Sequence, residues 1–138
     1  MTTHKVDTKF MGGMAFEAVQ DDQMVRMDAA VEVGGKNSGF RPKQLLLASL
    51  MGCTGMDVES LLMKMRVEHS DFSMSVEADL SDEHPKQYTE IRLAYSIKVK
   101  PEDHDKVEKA VTLSQERYCG VSAMLNKVCP IKWSINYL

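Results

Sequence analysis

The sequence predicts an α+β fold in a single domain spanning residues 1–138, and three observations carry that reading. One long apolar run, Arg41 to Met65, opens on a proline and has the composition of a buried helix. Two later stretches, 71–80 and 91–99, alternate apolar and polar residues with the period of a half-buried strand. A second helical pattern starts at Pro101, and an apolar-alternating segment closes the chain. Strands, long helix, strands, helix, strand is the order of an α+β domain.

Residues 3–33 read as β structure. Gly12-Gly13 sits between two mixed runs as a hairpin turn, DDQ at 21–23 makes a second turn, and MVRMDAAVEV continues as a further strand or two. GGKNSG at 34–39 is a polar connector. It matches neither the P-loop pattern nor the dinucleotide fingerprint, which argues against a phosphate-cradling role. In the long helix, Leu45, Leu46, Leu47, Leu50, Met51, Val58, Leu61, Leu62 and Met65 leave the part before Asp57 apolar nearly all round. A helix of that kind needs cover on several sides, more than a domain this small supplies. Two copies packing their helices together, a homodimer, is the expected solution.

Phe72, Met74, Val76, Ala78 and Leu80 mark the next strand, and Ile91, Leu93, Tyr95, Ile97 and Val99 the one after the Pro85 turn. The second helix has acidic residues in its first turn, which suits the helix dipole, and an inner stripe of Val107, Ala110, Val111 and Ser114. Gly120 interrupts it. VSAMLNKV follows as a short third helix, and IKWSINYL as the closing strand.

A net charge of -3 without any basic cluster gives no electrostatic case for a nucleic-acid partner. The first ten residues are polar, with no apolar signal segment, so a cytoplasmic location is expected. The apolar stretch Leu45–Met56 is short and soon followed by Asp57 and Glu59, so no membrane partner is expected either. Three cysteines in such a chain argue against a structural disulfide framework; any disulfide would be transient, catalytic or redox-sensing.

Cys53 lies in the apolar run, where its neighbours would raise its pKa and leave it a space-filling thiol. Cys119 is placed differently, after Arg117 and before a short helix, a setting that can depress a thiol pKa. Cys129 precedes a proline and reads as structural. Asp57 follows Cys53 by one helical turn and shares its face. Its carboxylate disfavours a thiolate unless a cation neutralises it. Arg26, Arg41, Lys43 and Arg117 are the candidates. Lys43 is ten residues from Cys53, about 15 Å along the helix, so it and Arg41 could act on Cys53 only from another subunit. His4, His69, His84 and His104 lie in polar or turn contexts without metal-ligand spacing; no metal and no cofactor are expected, and exposure is the expectation for all four. The eleven methionines suit flexible core filling better than a ligand groove.

Three stretches together resemble the OsmC family, which includes the organic hydroperoxide resistance proteins. They are Arg41-Pro42 leading into LLLASLMGCTGMDV, the strand YTEIRLAYSIKV, and ERYCGVSAML. The resemblance runs over nearly the whole chain. It implies antiparallel sheets wrapped around long central helices in an intertwined homodimer. It also implies that Cys53 is the peroxidatic thiol and Cys119 the resolving one. A hydroperoxide would oxidise Cys53 to a sulfenic acid, Cys119 would close a disulfide, and a cellular thiol reductant such as a lipoylated protein would reset the pair. Capture of a sulfenic acid by a nearby thiol is sound chemistry.

The chain departs from the family's peroxidases at three points. Lys43 stands where they carry a glutamate after the proline, Met14 where an arginine follows the early glycines, and Gly120 where proline often follows the second cysteine. Lys43 from a partner subunit, paired with Asp57, could supply the missing cation. The sequence thus supports a thiol-dependent peroxidase of the divergent OsmC-like branch. The alternative is a non-peroxidatic dimer that binds an apolar small ligand or acts as a thiol redox sensor.

Overall fold

A computed structural model describes residues Met1–Leu138 and has the expected α+β composition, two three-stranded sheets with helices. The chain forms two compact units, Met1–Leu47 and Ala48–Leu138.

In the first unit, β1 (Asp7–Phe10), β2 (Phe16–Gln20) and β3 (Gln23–Met27) form an antiparallel meander. The turn between β1 and β2 uses Gly12 and Gly13 at φ +94° and +58°, a region open to glycine without steric cost. Asp21, at φ 52°, turns β2 into β3. Both turns fall where the sequence puts them.

Of the one or two strands expected over MVRMDAAVEV there is one, and the β structure expected through residue 33 ends at Met27. Residues Val31–Val33 form a single 3₁₀ turn, with Val31 and Val33 exposed. The cause is Asp28, which is only 3% exposed. Its carboxylate accepts from Ala29 N at 2.7 Å, Lys36 N at 3.1 Å, and Ser38 N and Oγ at 3.0 and 2.6 Å. These bonds pull the backbone out of the sheet and wrap the 34–39 loop around the carboxylate. Gly35 and Gly39 permit the close approach, since a Cβ on either would collide with the carbonyl oxygen of Ala29 or of Arg26. The loop does cradle an anion, and that anion is the chain's own Asp28.

Helix α1 (Pro42–Lys64) contributes its residues from Ala48 on to the second unit. There β4 (Ser70–Leu80) pairs antiparallel with β5 (Tyr88–Lys98), and β5 pairs in parallel with β6 (Ile131–Tyr137). The parallel pairing demands a crossover, built by α2 (His104–Leu113), a π-helical turn over Ser114–Tyr118, and α3 (Gly120–Leu125). As the central strand, β5 buries Ile91, Leu93, Tyr95 and Ile97, the residues of the cleanest alternation in the sequence. Leu93, Tyr95 and Ile97 pack with Val58 and Leu62 of α1 and Val107, Ala110 and Val111 of α2 in one core. Burying each of these aliphatic side chains is worth about 1.5–3 kcal/mol.

Along α1, Leu50, Thr54, Val58 and Leu62 recur at four-residue spacing and are fully buried. The other side stays open, with Leu46, Met56 and Met63 47%, 75% and 69% exposed and Gly52 between them. By length and hydropathy alone the 23-residue helix passes as a membrane span, a test that the core helix of a soluble protein also passes. The apolar run Leu45–Met56 is too short for a span by itself, but the helix continues through Asp57 and Glu59.

Candidate active site

The site is built where α1 passes the junction between α2 and α3. Helix α2 runs directly into the π-helical turn, closed by Cys119 N–H donating to Ser114 O at 2.8 Å. The wider turn keeps Ser114 on the buried stripe of α2 and delivers Cys119 to the start of α3. Cys119 caps α3, with Ser122 N–H donating to its Sγ at 3.4 Å. π-Helical turns are frequent at functional sites.

Opposite this junction, α1 presents Cys53, Thr54 and Asp57. The sulfurs of Cys53 and Cys119 and a carboxylate oxygen of Asp57 all lie within 4.8 Å of one another. All three cysteines are free; Cys53 is half-buried, Cys119 and Cys129 buried. Residues 66 positions apart in sequence are thereby brought together; in the sequence, only the family resemblance implies that the two cysteines meet.

Between them runs a hydrogen-bonded chain whose donors can be assigned. Ser114 Oγ donates to Asp57 Oδ2 at 3.0 Å, since an ionised carboxylate only accepts. With that hydrogen committed, Ser114 must accept from Thr54 Oγ1 at 2.7 Å, and Thr54 in turn accepts from Tyr95 OH at 2.7 Å. Gln115 Nε2 donates to Tyr95 OH at 2.8 Å and Thr54 Oγ1 at 3.2 Å, and its Oε1 accepts from Ser122 Oγ at 3.0 Å. Every hydroxyl in the chain points its hydrogen toward Asp57. Thr54, Ser114 and Ser122 are fully buried, so the network pays the desolvation cost of each.

The setting of Cys119 differs from expectation. Burial pushes its pKa above the usual 9.0, the Ser122 bonds oppose this, and the adjacent Cys53 sulfur pushes it up further. The depression expected from Arg117 does not occur, because Arg117 is exposed and its guanidinium lies over the Tyr118 ring, 5.9 Å from the centroid. Burial also raises the Tyr95 pKa, against the Thr54 and Gln115 bonds.

The other predicted cations are engaged in the first unit or exposed. Arg26 pairs with Glu17 at 3.0 Å and Ser38 at 2.9 Å, Arg41 donates to Gly39 O at 3.2 Å, and Lys43 is exposed. Lys64, which sequence reasoning passed over, lines a cleft of about 320 Å³ together with Asp57, Ser60, Leu61 and Tyr118. The hydroxyl network was missed as well. Its signal was a polar residue on each buried stripe, Thr54 between Leu50 and Val58, and Ser114 after Val111.

Two of the histidines are not simply exposed. His69 Nε2 pairs with Glu59 at 2.6 Å, and His104 stacks on Tyr137 at 3.7 Å between centroids. Cys129 is buried ahead of β6, as a structural residue would be.

Fold and site define a protein with a paired-thiol centre on an α+β scaffold. The family model for OsmC-like proteins matches residues 35–134, and the chain belongs to that family. Protein YhfA of Escherichia coli (strain K12) is 33% identical over 101 residues, covering 71% of this chain and 75% of its own. The crystal structure of a hypothetical protein from Aquifex aeolicus VF5 is similar over 100% of this chain and 99% of that one, with TM-score 0.82 and 28% identity. An organic hydroperoxide resistance protein OsmC from Legionella pneumophila shares the fold over 99% of both chains, with TM-score 0.69 and 19% identity.

Proposed function

We propose that this protein is a thiol-dependent peroxidase that reduces organic hydroperoxides or hydrogen peroxide through Cys53 and Cys119. The observation that carries the reading is the approach of the two sulfurs to within 4.8 Å. The Cys53 thiolate attacks the distal peroxide oxygen, giving Cys53 sulfenic acid and an alkoxide that takes up one proton to leave as alcohol. The Cys119 thiol then displaces water from the sulfenic acid, and a disulfide forms. Two equivalents of a small thiol, or one reduced lipoyl group with its two thiols, return the pair to dithiol and leave as the reductant's own disulfide. A disulfide needs an S–S distance near 2.0 Å, so closure requires a side-chain swing and release of the Ser122 N–H from Cys119 Sγ.

Asp57 is the nearby proton acceptor for the Cys53 thiol and the donor that returns the proton to the leaving alkoxide. A cation must offset its charge while the thiolate forms. We assign that part to Lys64 of the same cleft, or to Lys43 or Arg41 reaching in from a second subunit of a homodimer. The dimer is supported by the open apolar side of α1 and by Phe10, Phe16, Met24 and Phe40 of the first unit, each more than 40% exposed. A soluble chain rarely leaves so many large apolar groups in water. A cytoplasmic location suits a thiol pair that must be reset by cellular reductants.

The second reading, a binder of apolar small ligands, draws support from one feature. A cavity of about 570 Å³ in the first unit is lined mainly by apolar residues, among them Met14, Phe16, Met27 and Val33. Mass spectrometry separates the readings. After one equivalent of hydroperoxide, the peroxidase yields a Cys53–Cys119 disulfide in wild type and a trapped sulfenic acid in Cys119→Ser. Neither product would form in a protein that only binds ligands.

A further inference from the structure

We infer that Cys53, Asp57 and Cys119 also form a binding site for a thiophilic divalent cation, zinc foremost. Their three donor atoms converge to within 4.8 Å of one another. Tetrahedral zinc, with Zn–S near 2.3 Å and Zn–O near 2.0–2.2 Å, sets S···S about 3.8 Å and S···O about 3.6 Å. Closing the set therefore takes about 1.2 Å at most, within reach of small side-chain torsions.

The donor chemistry selects the ion. Two thiolates exclude magnesium and calcium, which take oxygen ligands, and favour zinc or its thiophilic analogues. Three protein donors leave the fourth position open for water, as in sites where the metal exchanges ligands. The cleft lined by Asp57, Ser60, Leu61, Lys64 and Tyr118 opens onto the carboxylate of the set.

The surroundings meet the further requirements of such a site. Ser114 Oγ holds one Asp57 oxygen at 3.0 Å, and the Thr54 and Tyr95 hydroxyls behind it fix Ser114. Ser122 N–H points at Cys119 Sγ, the arrangement that supports a bound thiolate. Asp57 makes no ion pair with a basic side chain of the chain. A dication supplies the charge that this cluster lacks.

The inference goes beyond the peroxidase reading and does not depend on it. Metal and peroxide would compete for the same two sulfurs, so bound zinc would hold the pair reduced and unreactive. Reduced full-length protein is titrated with zinc against a chromophoric indicator, and with cobalt(II) to record sulfur-to-metal charge transfer. The expected result is one ion per chain with a charge-transfer band. Cys53→Ser and Cys119→Ser should each weaken binding at least about 100-fold, and Asp57→Asn about 10–100-fold, scaled from the 10–100-fold losses seen when even outer-shell partners are removed. Circular dichroism verifies that each variant is folded, and Cys129→Ser should bind as wild type. Wild-type protein that takes up no zinc, binding that survives loss of both cysteines, or an Asp57→Asn variant indistinguishable from wild type overturns the site. Zinc binding by a protein that stays inert toward peroxide when freed of metal would sink only the peroxidase reading; peroxide reduction by metal-free protein that takes up no zinc would sink only the metal site.

Discussion

Replacing Thr54 by valine tests the buried hydroxyl chain. The residue is fully buried, and valine matches its shape, so the change removes the hydroxyl and leaves almost no cavity. Three contacts go with it, to Tyr95 OH, Ser114 Oγ and Gln115 Nε2. Gln115 keeps its bond to Tyr95, and Ser114 still donates to Asp57. The Tyr95 hydroxyl loses its acceptor, and an orphaned buried donor costs about 1–3 kcal/mol. With the lost acceptor contact at Ser114 the total should be about 2–3 kcal/mol. Thr54→Ser keeps the hydroxyl and removes one methyl group, which costs about 1 kcal/mol. Urea unfolding at fixed protein concentration reads the difference, with unchanged m-values expected. Tyr95→Phe supplies a second check, because it removes the donor that Thr54→Val orphans. The double variant should therefore be less destabilised than the sum of the singles, by about 0.5–3 kcal/mol. Additive losses, or Thr54→Val costing no more than Thr54→Ser, would refute the assigned chain.

Three other outcomes are expected. Asp28 is held well below the usual carboxylate range, mainly by the Ser38 hydroxyl and also by the Ser38, Ala29 and Lys36 amides. A depressed carboxylate stabilises above its unfolded pKa near 4 and loses that contribution as pH falls below it. The gap in urea midpoint between wild type and Asp28→Asn should thus be widest at neutral pH and shrink below about pH 4; a constant gap would disprove the capping role. For Cys119, whose thiol is pushed up, disulfide closure after peroxide should keep accelerating as pH rises past 9, and a plateau by pH 8 would contradict this. Light scattering should give twice the 15.5 kDa chain mass, with Met56→Glu shifting the protein toward monomer. A monomeric wild type would remove the dimer.

Much of the fold was legible because its signals are local. The alternation in 91–97 reports a strand with one buried face, Pro42 marks the start of α1, and Gly12-Gly13 marks a turn whose φ values suit glycine. The β structure read through residue 33 ends at Met27 because an Asp28 side chain, satisfied by amides eight and ten residues on, outcompetes sheet pairing. No local pattern shows that. The site divides the same way. Cys53 and Asp57 share a face by helical spacing alone, whereas Cys119 joins them only through the π-helical turn, which has no sequence signature. Arg117 illustrates the limit from the other side. Two residues from Cys119, it nevertheless turns outward over Tyr118, so proximity in sequence misjudged the thiol's environment.

The central claim is that Cys53 is a reactive thiol paired with Cys119. Its most direct test is the rate of oxidation of the reduced protein by an organic hydroperoxide, followed by stopped flow. Cys53→Ser and free cysteine serve as references. Oxidation of wild type and of Cys119→Ser should be far faster than that of free cysteine, and should vanish in Cys53→Ser. A wild-type rate no greater than that of free cysteine would contradict the claim.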